Sequence, residues 1–285
     1  MAKALRKQRL ADIVVDRALR PAPGSVLLDE QGLHALIAGY SVGSCCDNGR
    51  ACNVTFTHAA VRSFFLDGPA GRLEALLNTG SPGATHAGLV CHPHPMFGGT
   101  MHNKVVFHAM KALHSFRFPV LRFNFRGAGL SAGQHDGRDE VGDVQAALAW
   151  LKREIGLPVV FAGFSFGAAI GLRACCPDRD VRALISLGTP VETEGRFNSF
   201  RFLRDCPKPK LFLSGDHDPF GPRAALEQVV AAAAEPKRLL FIPGDHFFAG
   251  HLTEMRQTVE SWLREQGLQA AHSKSRFSPP PEAEG

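Results

Sequence analysis

Gly163-Phe164-Ser165-Phe166-Gly167 sets a serine between two glycines, directly after the apolar run 157–162 and before the small-residue stretch 168–172. The flanks read as a strand and a helix, so Ser165 falls at a sharp strand-to-helix turn, which is how a nucleophile is presented. Such a turn strains the serine backbone, and a side chain at either glycine would collide with the neighbouring strand or helix. A serine hydroxyl is a poor nucleophile until a base takes its proton, and the base needs an acid to orient it. Two later segments supply both types. Residues 210–214 run into Gly215-Asp216-His217-Asp218, and residues 239–242 run into Pro243-Gly244-Asp245-His246. The chain order is then serine, acid, histidine, with Asp216 and Asp218 both open as the acid. Among His217, His246 and His251, His246 is favoured as the base because it follows the last predicted strand and precedes the final helix.

Upstream, His92-Pro93-His94 puts two histidines two residues apart at a predicted strand end. That spacing permits a metal reading, with Asp216, His217 and Asp218 completing a ligand set. A metal leaves the serine turn unexplained, whereas ring nitrogens bonded to loop backbone account for both histidines, so no metal and no cofactor are expected. Residues 124–133 are glycine-rich but lack the Gly-Lys-Ser/Thr ending of a phosphate cradle. Arg126 within them reads as structural, pairing a carboxylate or capping loop carbonyls.

These residues need a scaffold that brings distant segments to one place. Buried-looking strands are predicted at 87–91, 119–124, 159–163, 181–187, 210–214 and 238–242, and helices at 103–116, 139–155, 166–176, 223–235 and 252–266. Alternation of nearly continuous apolar strands with helices predicts an α/β fold, a mostly parallel sheet with helices on both faces. Before it, 61–66 and 72–77 flank the turn-forming 67–71 and predict an antiparallel hairpin. In an open sheet of this kind ligands bind beyond the carboxyl ends of the strands, where Ser165, Asp218 and His246 all fall. Only about twenty residues separate the strands ending near 187 and starting near 210, too few for a large helical lid. In that connection Phe197, Phe200, Phe202 and Leu203 are candidates for an apolar, substrate-binding rim, or else pack a short helix onto the sheet.

The 285 residues and 45% hydrophobic content suffice for one large domain, here 59–268. Residues 1–58 lack sustained periodicity and are expected to form a poorly ordered or loosely docked extension; an alternative is translated upstream sequence, with the native start near Val54 or Val61. The proline-bearing tail 269–285 is expected to be disordered. The net charge of +5 is modest and partly local to Lys3, Arg6, Lys7 and Arg9, with no basic stripe or stacking aromatics, so nucleic acid is not an expected partner. The longest apolar run, 159–172, is too short to span a bilayer, so no membrane association is expected. Seven cysteines without a Cys-x-x-Cys pair read as free thiols, and with no signal peptide visible the expected location is cytoplasmic.

Taken together, the stretch from about Val61 to Leu268 resembles the α/β-hydrolase superfamily, and most resembles small bacterial members with a His-Pro-His-Pro-x-x-Gly-Gly motif, related to dienelactone-hydrolase-like and acyl-peptidase-like enzymes. The matching blocks are His92-Pro93-His94-Pro95-Met96-Phe97-Gly98-Gly99, residues 124–133, the serine turn, Gly215-Asp216-His217-Asp218 and Gly244-Asp245-His246-Phe247. The resemblance implies a serine hydrolase that cleaves a carboxylic ester or related small acyl substrate through an acyl-enzyme. It assigns Asp218 as the acid by the family's Gly-x-x-Asp pattern, leaving Asp216 as a turn residue. It also implies an oxyanion hole of backbone amides: that of Phe166, and one from Met96 or Phe97, since Pro93 and Pro95 have no amide hydrogen. The alternatives are a non-catalytic hydrolase-like binding protein and an acyl-peptide hydrolase or peptidase on the same three side chains.

Overall fold

The computed structural model describes residues 61–268 apart from 194, 195 and 198, and the side chains of 192–198 lie outside the description. The expected extension 1–58 and tail 269–285 therefore fall outside the described residues. Ten strands and five helices follow in chain order: β1 (Val61–Gly68), β2 (Gly71–Asn78), β3 (Ala87–Cys91), α1 (Lys104–His114), β4 (Val120–Phe123), α2 (Glu140–Glu154), β5 (Val159–Phe164), α3 (Phe166–Cys175), β6 (Val181–Leu187), β7 (Glu192–Thr193), β8 (Arg196–Phe197), β9 (Lys210–Gly215), α4 (Arg223–Ala232), β10 (Lys237–Ile242) and α5 (Leu252–Glu265). Each predicted strand and helix is present, with ends displaced by a few residues at most. The two-residue ribbon β7–β8 and the 3-10 turns Pro95–Phe97 and Arg201–Asp205 were not anticipated.

The main sheet has the order β1-β2-β4-β3-β5-β6-β9-β10. β2 runs antiparallel to both β1 and β4, and every pairing from β4 to β10 is parallel. The chain leaves β3 for β4 on one side, then returns past β3 to β5 on the other. Parallel crossovers are right-handed, so reversing the direction of travel moves the connecting helix to the opposite face. Accordingly α1 packs on one face with α5, where Val105, Leu113, Val259 and Trp262 meet Val90, Val160 and Ala162 of the sheet. α2, α3 and α4 cover the other, where Val144, Leu151, Leu172 and Leu226 meet Leu89, Phe123 and Phe161. Alternate residues of β3 and β5 thus feed two cores, which is why both strands are apolar throughout.

The reversal at β3 opens a crevice between the loops after β3 and β5. Among the described residues, the connection from β6 to β9 holds only the ribbon and the second 3-10 turn and contributes no lid domain. Cys91, Cys175, Cys176 and Cys206 are free thiols, while Cys45, Cys46 and Cys52 lie outside the described residues. No helix among the described residues is long and apolar enough to cross a membrane.

Candidate active site

Ser165 ends β5 and opens α3 with φ 54° and ψ −120°, a positive-φ conformation that side chains other than glycine rarely adopt. Its amide donates to the Leu187 carbonyl at 2.9 Å, and its carbonyl accepts from Ala168 and Ala169, so neighbours on both sides hold the strained turn. The flanking glycines are required by close approach. A Cβ at Gly163 would lie 2.6 Å from the Gly167 carbonyl oxygen, and one at Gly167 would lie 2.4 Å from that of His92.

The Ser165 hydroxyl lies 2.9 Å from His246 Nε2, and His246 Nδ1 lies 2.8 Å from Asp218 Oδ2. Three residues spread over three loops therefore form one chain of hydrogen bonds at the carboxyl edge of the sheet. Asp218 and His246 are each 4% exposed. Burial alone would raise the Asp218 pKa; the hydrogen bond and charge of His246, the Phe220 amide and the Ser214 hydroxyl outweigh it and hold the carboxyl below its ordinary value. Oδ1 accepts from the Phe220 and Gly221 amides and Oδ2 also accepts from Ser214, leaving the carboxylate one orientation. The imidazole sits among the rings of Phe164, Phe220 and Phe247, with centroids 4.7 to 5.3 Å away.

The other acids and histidines are placed elsewhere. Asp216 accepts from the Gly244 amide at 3.0 Å and pairs with the exposed ring of His217, tying the two loops together. Asp245 accepts from the Phe247 and Ala249 amides, and His251 pairs with Glu254. His92 is fully buried: its Nδ1 donates to the Pro93 carbonyl at 2.7 Å, and its Nε2 accepts from the Phe125 amide at 2.9 Å. Burial pushes its pKa down to about 4, so the ring is neutral with the proton on Nδ1. Both ring nitrogens are thus engaged by loop backbone. Arg126 binds Asp143 through Nε and Nη2 and caps the Asp139 carbonyl, holding the 124–133 loop on α2.

Between the loops lies a cavity of about 340 Å³ that reaches Ser165 and His246. Four phenylalanines, Phe97, Phe166, Phe220 and Phe247, contribute to its walls. Phe200, Phe202 and Leu203 are not among its lining residues; they pack into the core beside α3 and α4, the alternative that their sequence left open. Phe197 lies on β8 and its side chain is outside the described residues. The amide of Phe166 has no acceptor among the described residues. The Met96 amide donates to the His94 ring and that of Phe97 to the His94 carbonyl, each at 3.2 Å, so both bonds lie within the loop. Elimination of the prolines passed over His94, which has an amide and, unlike Met96, lines the cavity. Also missed were Ser214 and the wall residues Phe220 and Phe247, although each sits in or beside a loop already marked by its position after a strand.

The alpha/beta hydrolase domain family matches residues 92–273. An uncharacterized protein of Rickettsia prowazekii is 34% identical over 209 residues, covering 70% of this chain and 87% of the relative. Among solved structures, an alpha-beta serine hydrolase homologue from Coxiella burnetii is 36% identical with a TM-score of 0.65, over 71% of this chain and 97% of that one. A serine hydrolase without a lid from Xanthomonas campestris is 31% identical with a TM-score of 0.64, over 72% and 94%. With the sheet order, the strained turn at Ser165 and these similarities in agreement, the chain belongs to the alpha/beta hydrolase family, and its fold and relatives support hydrolase activity.

Proposed function

We propose that the protein is a serine hydrolase that cleaves a carboxylic ester or related small acyl substrate through an acyl-enzyme. The observation that carries this reading is the hydrogen-bonded chain Ser165–His246–Asp218, with its hydroxyl end opening into the cavity. His246 Nε2 takes the Ser165 proton as Oγ attacks the substrate carbonyl. Asp218, ionised and held by three donors besides the imidazole, fixes the proton on Nδ1 and stabilises the imidazolium. Collapse of the tetrahedral intermediate expels the leaving alkoxide, which receives the Nε2 proton. Water then repeats the sequence on the acyl-enzyme, releasing the acid and restoring the hydroxyl.

The developing oxyanion needs donors aimed at it beforehand, each worth about 3 kcal/mol in comparable sites. The Phe166 amide at the start of α3 fills one such place, assisted by the helix dipole. The second donor comes from the loop after β3; for Met96 or Phe97 to serve, its bond to His94 must open as substrate enters.

The test is covalent. A fluorophosphonate probe is expected to label the wild-type protein and to leave Ser165→Ala unlabelled, with hydrolysis of short p-nitrophenyl esters falling at least about 10³-fold in the variant. A wild-type protein that neither labels nor turns over these esters would leave the non-catalytic reading in its place.

A further inference from the structure

Along α3, Phe166, Ala169, Ile170 and Arg173 are spaced i, i+3, i+4, i+7, a single stripe on the helix. All four line the cavity that holds Ser165. The first three are apolar and the last is a cation. Arg173 is eight positions beyond Ser165 in sequence, an axial rise of about 12 Å along a helix.

Arg173 is exposed, and among the described residues no carboxylate lies within ion-pair distance of it. Its guanidinium instead sits over the Phe202 ring, 5.9 Å from the centroid, a cation–π contact that orients it without neutralising it. Arg126, by contrast, is fixed by the buried carboxylate of Asp143 and belongs to the frame of the fold.

We infer that the cavity takes an acyl substrate that ends in a carboxylate, with the ester carbonyl at Ser165, an apolar linker along Phe166, Ala169 and Ile170, and the terminal carboxylate on Arg173. This rests on the serine hydrolase reading above and names its substrate class. A guanidinium fork matches a carboxylate in shape and its single positive charge matches a monoanion, which favours carboxylate over the more highly charged phosphomonoester. A neutral acyl chain of equal length would fill the same apolar track and leave the guanidinium in water.

The experiment compares p-nitrophenyl monoesters of adipic and suberic acid with p-nitrophenyl hexanoate and octanoate, reading the ratio of kcat/KM for the charged ester to that for the neutral ester of equal length. In the wild type the ratio is expected to reach about tenfold for at least one length. In Arg173→Gln it should fall to near one, in Arg173→Lys to an intermediate value, and in Arg153→Gln on α2 it should stay at the wild-type level. A wild-type ratio at or below one, or a ratio unchanged in Arg173→Gln, overturns the carboxylate site while leaving the hydrolase reading intact, because the neutral esters still react. Inhibition by hexyl phosphate that exceeds inhibition by adipate overturns the choice of carboxylate. Absence of turnover of all four esters and of fluorophosphonate labelling overturns both.

Discussion

His92 shows how a single side chain can look like chemistry and serve architecture. Its two ring nitrogens join the end of β3 to the start of the 124–133 loop, and burial holds it neutral with a pKa of about 4 against 6.5 in the unfolded chain. The unfolded state therefore binds a proton that the folded state refuses between these values. Stability attributable to His92 is complete above pH 6.5 and is lost as the pH falls toward 4, by up to about 3 kcal/mol. Urea unfolding at a series of pH values should show a shallower acid decline in His92→Gln than in wild type; equal slopes would contradict this account. The two-residue spacing of His92 and His94 could not separate a ligand pair from a backbone clamp, because both need an imidazole at a strand end. Arg173 was hidden for the opposite reason: a lone arginine near a helix end has the ordinary pattern of a solvated face, and only the cavity beside it gives it a role.

At the level of elements, the 124–133 loop packs behind the site, with the Phe125 ring 5.5 Å from that of Phe166, and is anchored on α2 by Arg126 and Asp143, both buried. Asp143 also accepts from the Arg126 amide at 3.0 Å. Asp143→Asn removes the buried carboxylate from the guanidinium and leaves it only the more exposed Asp136 and Asp139 at 3.7 and 3.8 Å, and the expected cost is about 1.5 to 3 kcal/mol of stability. Chemical denaturation would measure it, and a loss below 1 kcal/mol would show that the loop relaxes to let water reach Arg126. Strands and helices here were legible because β3, β5, β6 and β9 are buried on both faces, and long apolar runs between helical patterns have few other readings. The ribbon β7–β8 and the 3-10 turns were not, since two or three residues carry no period. Phe200 and Phe202 were ambiguous for a physical reason: an aromatic residue in a short connection serves a rim and a core equally well, and only the third dimension chooses.

For the whole molecule, the alternation of strand and helix announced a parallel sheet, but not the order in which its strands lie. That β3 stands between β4 and β5 is set by which way each crossover travels, a property that no local propensity encodes. The reversal matters most, because it splits α1 and α2 onto opposite faces and leaves the crevice into which the Ser165 turn projects. The positions of Ser165, Asp218 and His246 after three strands were legible; their convergence to 2.8 and 2.9 Å contacts depends on that strand order.

The backbone at Ser165 has one more implication, for anyone seeking a hardier version of this protein. A φ of 54° with ψ of −120° suits glycine, and strain of this kind costs about 1 to 3 kcal/mol. Ser165→Gly is accordingly expected to melt above the wild type in a calorimeter while being inert toward esters; a lower melting temperature would show the turn to be relaxed. Heat-resistance screening alone would then reward clones that have discarded the Ser165 hydroxyl, so survivors must be ranked by turnover as well as by endurance.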